Sequence, residues 1–207
     1  MPTRVPYNPT PLLRIVLAAI GLLACLHTGA QGSGLLPPER AALVLYKVIP
    51  YNQVWDGAKA LQFEVVATGR EDLDRATAIA DYLEAYSEQS RKKGAATPRL
   101  TTSVVLLGDL GNLAERPDPP SALFLIGGAD VPTSDAFEEL GRAAVLRSVL
   151  IVSDTEERLM DASSLALVHS TESNRPEMVL YLERSKAQGA RFRASFIRLV
   201  RLWEGPR

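Results

Sequence analysis

The chain has 207 residues, of which 46% are hydrophobic and 23% charged, and its formal net charge is −1 at pH 7. This near-neutral balance argues against nucleic acid as a partner, because nucleic-acid binding depends on an excess of basic residues. The only cysteine is Cys25 and the only histidines are His27 and His169, which excludes a structural zinc site, a two-histidine metal centre and cysteine–histidine catalysis downstream of the amino-terminal region.

The amino-terminal region has the pattern of an export signal. Arg4 and Arg14 supply positive charge, Ile15–Ala24 is a continuous apolar run, and small residues follow up to Ala30. The run is shorter than the 20 or so residues that cross a bilayer, and its basic flank is typical of secretory signals. We predict a signal peptide over residues 1–30, cleaved after Ala30, and therefore a periplasmic protein.

A second processing route remains open at the same region. Leu22–Cys25 approximates a lipobox, in which cleavage precedes the cysteine and the cysteine receives a lipid anchor. On this alternative Cys25 would tether the chain to a membrane as a lipoprotein. Both routes place the remaining chain outside the cytoplasm.

The first elements after the signal are a linker, a helix and a strand. Residues 31–38 are rich in glycine and proline and are predicted to be a linker. Apolar residues lie on most sides of Glu39–Ile49, which predicts a buried helix that ends before Pro50. Leu61–Ala67 alternates and then becomes continuously apolar, as expected of a strand.

The middle of the chain alternates helices and strands. Glu71–Lys93 has apolar residues at steps of three and four, acidic residues in its first turn and basic residues in its last, so it is predicted to be a helix. Strands are predicted over Thr101–Leu107 and Ala122–Ile126, and a helix over Asp135–Arg147. Val149–Val152 is a short apolar run of the kind found in strands buried on both faces.

The last part of the chain predicts a hairpin followed by one long helix. A short helical piece near Glu156–Met160 precedes two strands, Leu165–Ser170 and Met178–Leu182, joined by a turn. The spacing of aromatic and apolar residues then predicts a helix over Glu183–Trp203. We therefore expect a single layered α/β domain over residues 39–204, with a mixed β-sheet of about five to six strands flanked by helices.

Two loops after predicted strands carry candidate chemistry. Gly127–Asp130 does not match the G-x-G-x-x-G spacing of dinucleotide sites and is interpreted as a tight turn, with an anion site as the alternative. Asp154 is interpreted as the cap of the following helical piece, with Glu157 completing a capping box. The alternative is a carboxylate cluster for acid–base or cation chemistry. No catalytic, metal or cofactor-binding residue is predicted, and no cofactor is expected.

Aromatic and arginine side chains supply the candidate contact residues. On the predicted last helix, three arginines fall on one stripe, which either faces solvent or binds an acidic protein or lipid headgroups. The two tryptophans are interpreted as core anchors, or as energetic centres of an interface. The candidate partner-binding residues are Tyr46, Trp55, Arg184, Arg191, Arg198 and Trp203.

The order of these motifs resembles a known family. Ala122–Ile126, a helix, the segment Val149–Asp154, a hairpin and an arginine-rich end follow one another as in the YfiR family (YfiR/HmsC-like proteins). Arg40–Tyr46 followed by Trp55, and Phe63–Gly69, are similar to the opening helix and first strand of that family. The resemblance covers about residues 39–203.

The chain also departs from the family pattern at several positions. Ser121 stands where family members usually have cysteine, Ala162–Ser164 replaces a glycine pair, and Tyr181 replaces an asparagine. Because no cysteine follows Cys25, the disulfides found in some members cannot form here.

The resemblance implies an exported, non-enzymatic regulator that restrains a membrane-bound diguanylate cyclase from the periplasmic side. An envelope structural or assembly factor is the alternative, and a periplasmic hydrolase using Asp154 and His169 is a third hypothesis. Small α/β regulators often pair, so a homodimer is a further expectation.

Overall fold

The computed structural model describes residues 35–95, 97–127, 135–170 and 175–205. The predicted signal region, Cys25, residues 128–130 of the glycine turn and residues 171–174 of the hairpin turn lie outside the described residues. Within the described ranges, no helix is long and apolar enough to cross a membrane.

The elements alternate along the chain as the sequence predicts for most of its length. The helices are α1 (Pro38–Val48), α2 (Leu73–Lys92), α3 (Asp135–Arg147), α4 (Arg158–Asp161), α5 (Leu182–Ala187) and α6 (Ala194–Ile197). The strands are β1 (Ala60–Ala67), β2 (Arg99–Leu106), β3 (Ala122–Ile126), β4 (Leu150–Ser153), β5 (Leu165–Ser170), β6 (Arg175–Leu180) and β7 (Arg201–Leu202).

All seven strands form one sheet in the order β2-β1-β3-β4-β5-β6-β7. The strands from β2 to β5 are parallel, β6 runs antiparallel to β5, and β7 is parallel to β6. The order 2-1-3-4-5 is that of a doubly wound α/β sheet, in which the connections leave β1 and β3 in opposite directions. The mixed-sheet α/β prediction is confirmed, and the described residues form seven strands rather than the expected five to six.

The core lies on both faces of the sheet. On β3, Ala122, Phe124 and Ile126 face one hydrophobic cluster, which also contains buried residues of α1 and α2. Leu123 and Leu125 face a second cluster, which contains buried residues of α3. Since alternate residues of a strand point to opposite faces, the uninterrupted apolar run of β3 follows from burial on both sides.

The predicted long C-terminal helix is wrong. The chain forms α5, turns at Gly189 with φ of +81°, and continues as an extended segment before α6 and β7. This left-handed backbone conformation ends the helix, because ordinary right-handed helices exclude it. The aromatic spacing of Phe192 and Phe196 imitates a helical seam, although Phe192 belongs to an isolated β-bridge with Asn52.

The domain begins earlier than the predicted linker allows. Leu36 is 1% exposed and packs in the first hydrophobic cluster. Its carbonyl oxygen accepts a hydrogen bond of 2.7 Å from the Arg75 guanidinium. Leu36, which lies within the predicted linker, is therefore packed against the body of the domain.

Candidate functional site

The first candidate site is a groove at the edge of the sheet where β1 and β2 begin. Its volume is about 510 Å³, and it is bounded by the end of α1, the loop to β1, the segment before β2 and the segment before α6. The lining side chains include Tyr46, Ile49, Trp55, Lys59, Thr97 and Arg193. We call it the amino-edge groove.

Two of the sequence-based candidates meet in this groove. The Trp55 ring packs edge-on against Phe63, with ring centroids 5.7 Å apart. The Tyr46 ring lies 6.2 Å from the ring of Tyr86. Both Tyr46 and Trp55 are half-buried, so each offers a fixed apolar wall while part of its surface stays accessible.

The loop that carries Trp55 is held in place by the C-terminal segment. The Asn52 side-chain oxygen accepts hydrogen bonds from the N–H groups of Val54, at 3.3 Å, and Arg191, at 3.0 Å. The N–H of Gln53 donates to the Arg191 carbonyl oxygen at 2.9 Å. These bonds connect parts of the chain that are far apart in sequence and fix the position of the loop.

Charged side chains line one side of the groove. Arg193 donates to both carboxylate oxygens of Asp56, at 2.9 and 2.7 Å, and to the Pro50 carbonyl oxygen at 3.2 Å. The guanidinium of Arg193 is therefore bound by the loop between α1 and β1. Lys59 is exposed and forms no ion pair within the described part of the chain.

Two hydroxyl groups of groove residues lack hydrogen-bond partners. The Tyr46 Oη and Thr97 Oγ1 atoms are both buried and have no partner among the described residues. Buried polar atoms in native proteins are nearly always hydrogen-bonded, to protein or to another molecule. The groove therefore combines aromatic walls with unused hydrogen-bonding capacity.

An exposed patch lies beside the groove on the same loop. The Val54 side chain is 54% exposed, and the exposed Arg191 is adjacent to it through the backbone bonds of Asn52 and Gln53. We call this patch the Val54–Arg191 surface. The structure thus brings the predicted residues Trp55 and Arg191 onto neighbouring segments.

Arg184 and Trp203 belong to a different part of the molecule. Arg184 donates to the carbonyl oxygens of Leu159 and Met160, at 2.6 and 3.0 Å, and its guanidinium lies 5.0 Å from the Tyr181 ring centroid. Burial lowers the pKa of the Arg184 guanidinium from its usual value. The Trp203 ring packs against the same Tyr181 ring in a tilted arrangement, with ring centroids 4.7 Å apart.

The predicted arginine stripe is therefore wrong as a single surface. Arg184 binds the carboxyl end of α4, whereas Arg191 lies in the extended segment after Gly189 and Arg198 is exposed at the end of α6. One continuous helix would have aligned the three side chains. The break at Gly189 separates them.

The second candidate site lies at the opposite edge of the sheet, where β1, β3 and β4 end. Asp154 follows β4, is 4% exposed, and accepts hydrogen bonds from the Gly127 N–H at 3.1 and 3.3 Å. The guanidinium of Arg75 lies 3.4 Å from the Asp154 carboxylate. Thr68 donates to the Asp72 carboxylate at 3.2 Å. We call these residues the carboxyl-edge cluster.

Asp154 does not cap a helix, contrary to the sequence-based interpretation. Helix α4 starts at Arg158, and its N-cap residue Glu157 makes no side-chain capping bond. Burial raises the pKa of Asp154 to about 6, while the positive charge of Arg75 and the Gly127 N–H oppose the rise. The Asp154 carboxylate is held instead by the N–H of Gly127, the residue after β3.

The carboxyl-edge cluster packs closely around the buried carboxylate of Asp154. Gly127 has a φ of +81°, which favours glycine, and an added Cβ would displace the Asp72 carboxylate. Asp154 accepts its side-chain hydrogen bonds from Gly127 and Arg75. His169, the other residue of the hydrolase hypothesis, lies in β5 and is not one of these donors. Among the described residues, no group of three or more His, Cys, Asp or Glu side chains could hold a metal ion.

Several residues of these sites were missed by reasoning from sequence. Lys59 and Thr97 precede different strands, and only the parallel pairing of β1 and β2 brings them to one edge. From the sequence, Arg193 falls on the predicted C-terminal helix and is interpreted as a basic residue of its solvent-exposed face. A usable signal was the glycine at 189, which interrupts an otherwise helical pattern.

The chain matches no family model and no curated protein. Among solved structures it is similar to a conserved domain protein from Vibrio cholerae O1 biovar El Tor strain N16961, with 12% sequence identity and a TM-score of 0.47. The similarity covers 80% of this chain and 60% of that protein, so the chain spans less than two thirds of its length. A likeness at this level carries no argument about function.

Proposed function

We propose that this chain is an exported, non-enzymatic binding protein that regulates a membrane-bound signalling protein, of the diguanylate cyclase type, from the periplasmic side. The resemblance of its sequence to the YfiR family supports the class of partner. The structural observation that carries the proposal is the Val54–Arg191 surface, which presents an apolar group on a loop and a cationic group on the C-terminal segment bound to that loop.

The composition of this surface suits protein binding. Interfaces concentrate their binding energy in tryptophan, tyrosine and arginine residues surrounded by apolar contacts. Val54 is 54% exposed, Trp55 is half-buried beside it, and Arg191 is exposed on the adjacent segment. A partner that covers this loop would bury apolar surface and meet a positive charge at the same time.

The backbone bonds around Asn52 reduce the entropic cost of binding. The loop between α1 and β1 is tied to the C-terminal segment by bonds at Asn52, Gln53 and Arg193. A loop already held in one conformation loses little freedom when a partner binds. This favours a contact surface over a segment that must fold on binding.

Regulation then follows from a difference in affinity. A partner with two conformations is driven towards the one that binds this surface more tightly, and only by the ratio of the two affinities. Each tenfold ratio corresponds to about 1.4 kcal/mol. A few contacts of the kind made by Trp55 and Arg191 supply energies of that order.

Site-specific photo-crosslinking in the native cells tests the proposal. A crosslinking amino acid at Val54 should capture a membrane protein with a cyclase domain. The control position is Leu146, which is 73% exposed on α3, and it should not capture that protein. Capture of envelope scaffold proteins alone, from Val54, would contradict the proposal and favour the structural or assembly role.

A further inference from the structure

The size and walls of the amino-edge groove fit a small molecule. Its volume of about 510 Å³ falls within the range of about 300–1,000 Å³ that is usual for small-molecule sites. Tyr46, Ile49 and Trp55 supply an apolar, largely aromatic wall. A molecule that fills this space needs an apolar body to match that wall.

The charges of the groove favour an anionic head group. Lys59 and Arg193 are positive and Asp56 is negative, so one positive charge remains uncompensated. Asp56 and the Pro50 carbonyl oxygen hold two of the three Arg193 nitrogens. Among the described charged residues that line the groove, Lys59 is the cation that forms no ion pair, so we assign it to a ligand. One ammonium balances a single negative charge, as a carboxylate carries, whereas a phosphate group carries about −1.5 to −2 at pH 7.

The unused hydroxyls indicate where such a head group would find its remaining bonds. Tyr46 and Thr97 line the groove, and their buried hydroxyl oxygens have no partner within the described ranges. Tyrosine and threonine hydroxyls both donate hydrogen bonds, and carboxylate oxygens accept them. Both hydroxyl oxygens are closed to solvent, so a carboxylate beside Lys59 would use this capacity once either side chain turns towards the groove. An ammonium group would be repelled by Lys59.

We propose that the amino-edge groove binds a small amphiphilic monocarboxylate. Its apolar body packs against Trp55 and Tyr46, and its carboxylate pairs with Lys59. The carboxylate accepts hydrogen bonds from the Thr97 and Tyr46 hydroxyls after these side chains turn towards it. This inference concerns the groove alone and does not depend on the proposed regulatory function.

The binding of defined probes to purified protein tests the inference. In a Trp203→Phe variant, Trp55 is the only tryptophan, so its fluorescence reports on the groove. Octanoate and 2-naphthoate are titrated, each beside its neutral amide. We expect at least one acid to change the Trp55 emission saturably, and its amide to bind about tenfold more weakly because the charge-assisted hydrogen bond is lost.

Matched lysine variants complete the test. Lys59→Gln should weaken binding of the acid about tenfold, whereas Lys92→Gln, at the exposed end of α2, should leave it unchanged. Both lysines are exposed, so both variants should fold. The inference is overturned if neither acid binds saturably, if the amides bind as tightly as the acids, or if Lys59→Gln has no effect.

Discussion

The charge state of Asp154 is set by its position at the carboxyl edge of the sheet. Its side chain is removed from water, which disfavours the charged form, while Arg75 and the Gly127 N–H favour it. Burial has the larger effect, and the pKa rises from 3.8 to about 6. Asp154 therefore titrates in a pH range where ordinary aspartates are fully charged.

This raised pKa predicts a particular dependence of stability on pH. Between about pH 4 and pH 6 the folded protein holds the Asp154 proton more tightly than the unfolded chain does. The free energy of unfolding should therefore fall as pH rises through this range, by about 1–3 kcal/mol from this residue. Urea unfolding at a series of pH values measures the slope.

Substitution by asparagine isolates the contribution of Asp154. Asp154→Asn keeps an oxygen that accepts from the Gly127 N–H but removes the titrating group, so its unfolding free energy should lack the fall between pH 4 and pH 6. Asp74→Asn, at an exposed position of α2, should retain it. Equal slopes in wild type and Asp154→Asn would show that Asp154 does not titrate in this range.

The surroundings of Asp154 could not be predicted from the sequence, for a physical reason. An aspartate after a strand and three residues before a glutamate fits a capping box, and nothing local distinguishes that arrangement from a buried carboxylate. Two groups hold Asp154: the Gly127 N–H, which directly follows β3, and the Arg75 guanidinium, which lies on α2. Only the order of strands in the sheet brings them together.

At the scale of elements, the local sequence pattern was sufficient to predict the bounds of β3 and α3. The bounds predicted for Ala122–Ile126 and Asp135–Arg147 agree with the structure. A strand buried on both faces leaves a short continuous apolar run, and a helix with one buried face leaves an apolar stripe at steps of three and four. The prediction of a long C-terminal helix failed because Phe192 and Phe196 are spaced as in a helix, although Phe192 lies in an isolated β-bridge and Phe196 in the short helix α6.

Gly189 determines that outcome and gives a direct test. Its φ is +81°, and an added Cβ would lie 2.8 Å from the Ser148 side chain. Gly189→Ala should therefore lower the free energy of unfolding by about 1–3 kcal/mol, rather than stabilise a longer helix as alanine does inside helices. Denaturant unfolding gives the value.

A second glycine serves as the control for this substitution. Gly108 has open space around its Cα and does not lie in the left-handed region. Gly108→Ala should change the unfolding free energy by no more than about 0.5 kcal/mol. If Gly189→Ala were as harmless as Gly108→Ala, or stabilising, the turn at Gly189 would not be needed to end α5.

At the scale of the whole molecule, the doubly wound sheet separates its two candidate sites. The carboxyl-edge cluster forms where parallel strands end, and the amino-edge groove forms where β1 and β2 begin. The Val54–Arg191 surface adjoins the groove because the C-terminal segment returns to the loop after α1. This return could not be derived from sequence, since it replaces the helix that the pattern predicts.

The proposed function requires that the Val54–Arg191 surface restrain a membrane-bound diguanylate cyclase. The most direct measurement is the level of cyclic di-GMP in native cells that lack the gene and are complemented with defined variants. Deletion should raise the level, and the wild-type gene should restore it. The double variant Val54→Asp/Arg191→Glu should fail to restore it, because it replaces the apolar and cationic groups with negative charge.

The control is a matched double variant on α3, Arg142→Glu/Leu146→Asp, which changes two exposed side chains away from the surface. It should restore the level as wild type does, with both variants showing unchanged thermal unfolding. An unchanged level of cyclic di-GMP on deletion, or full restoration by Val54→Asp/Arg191→Glu, would contradict the account.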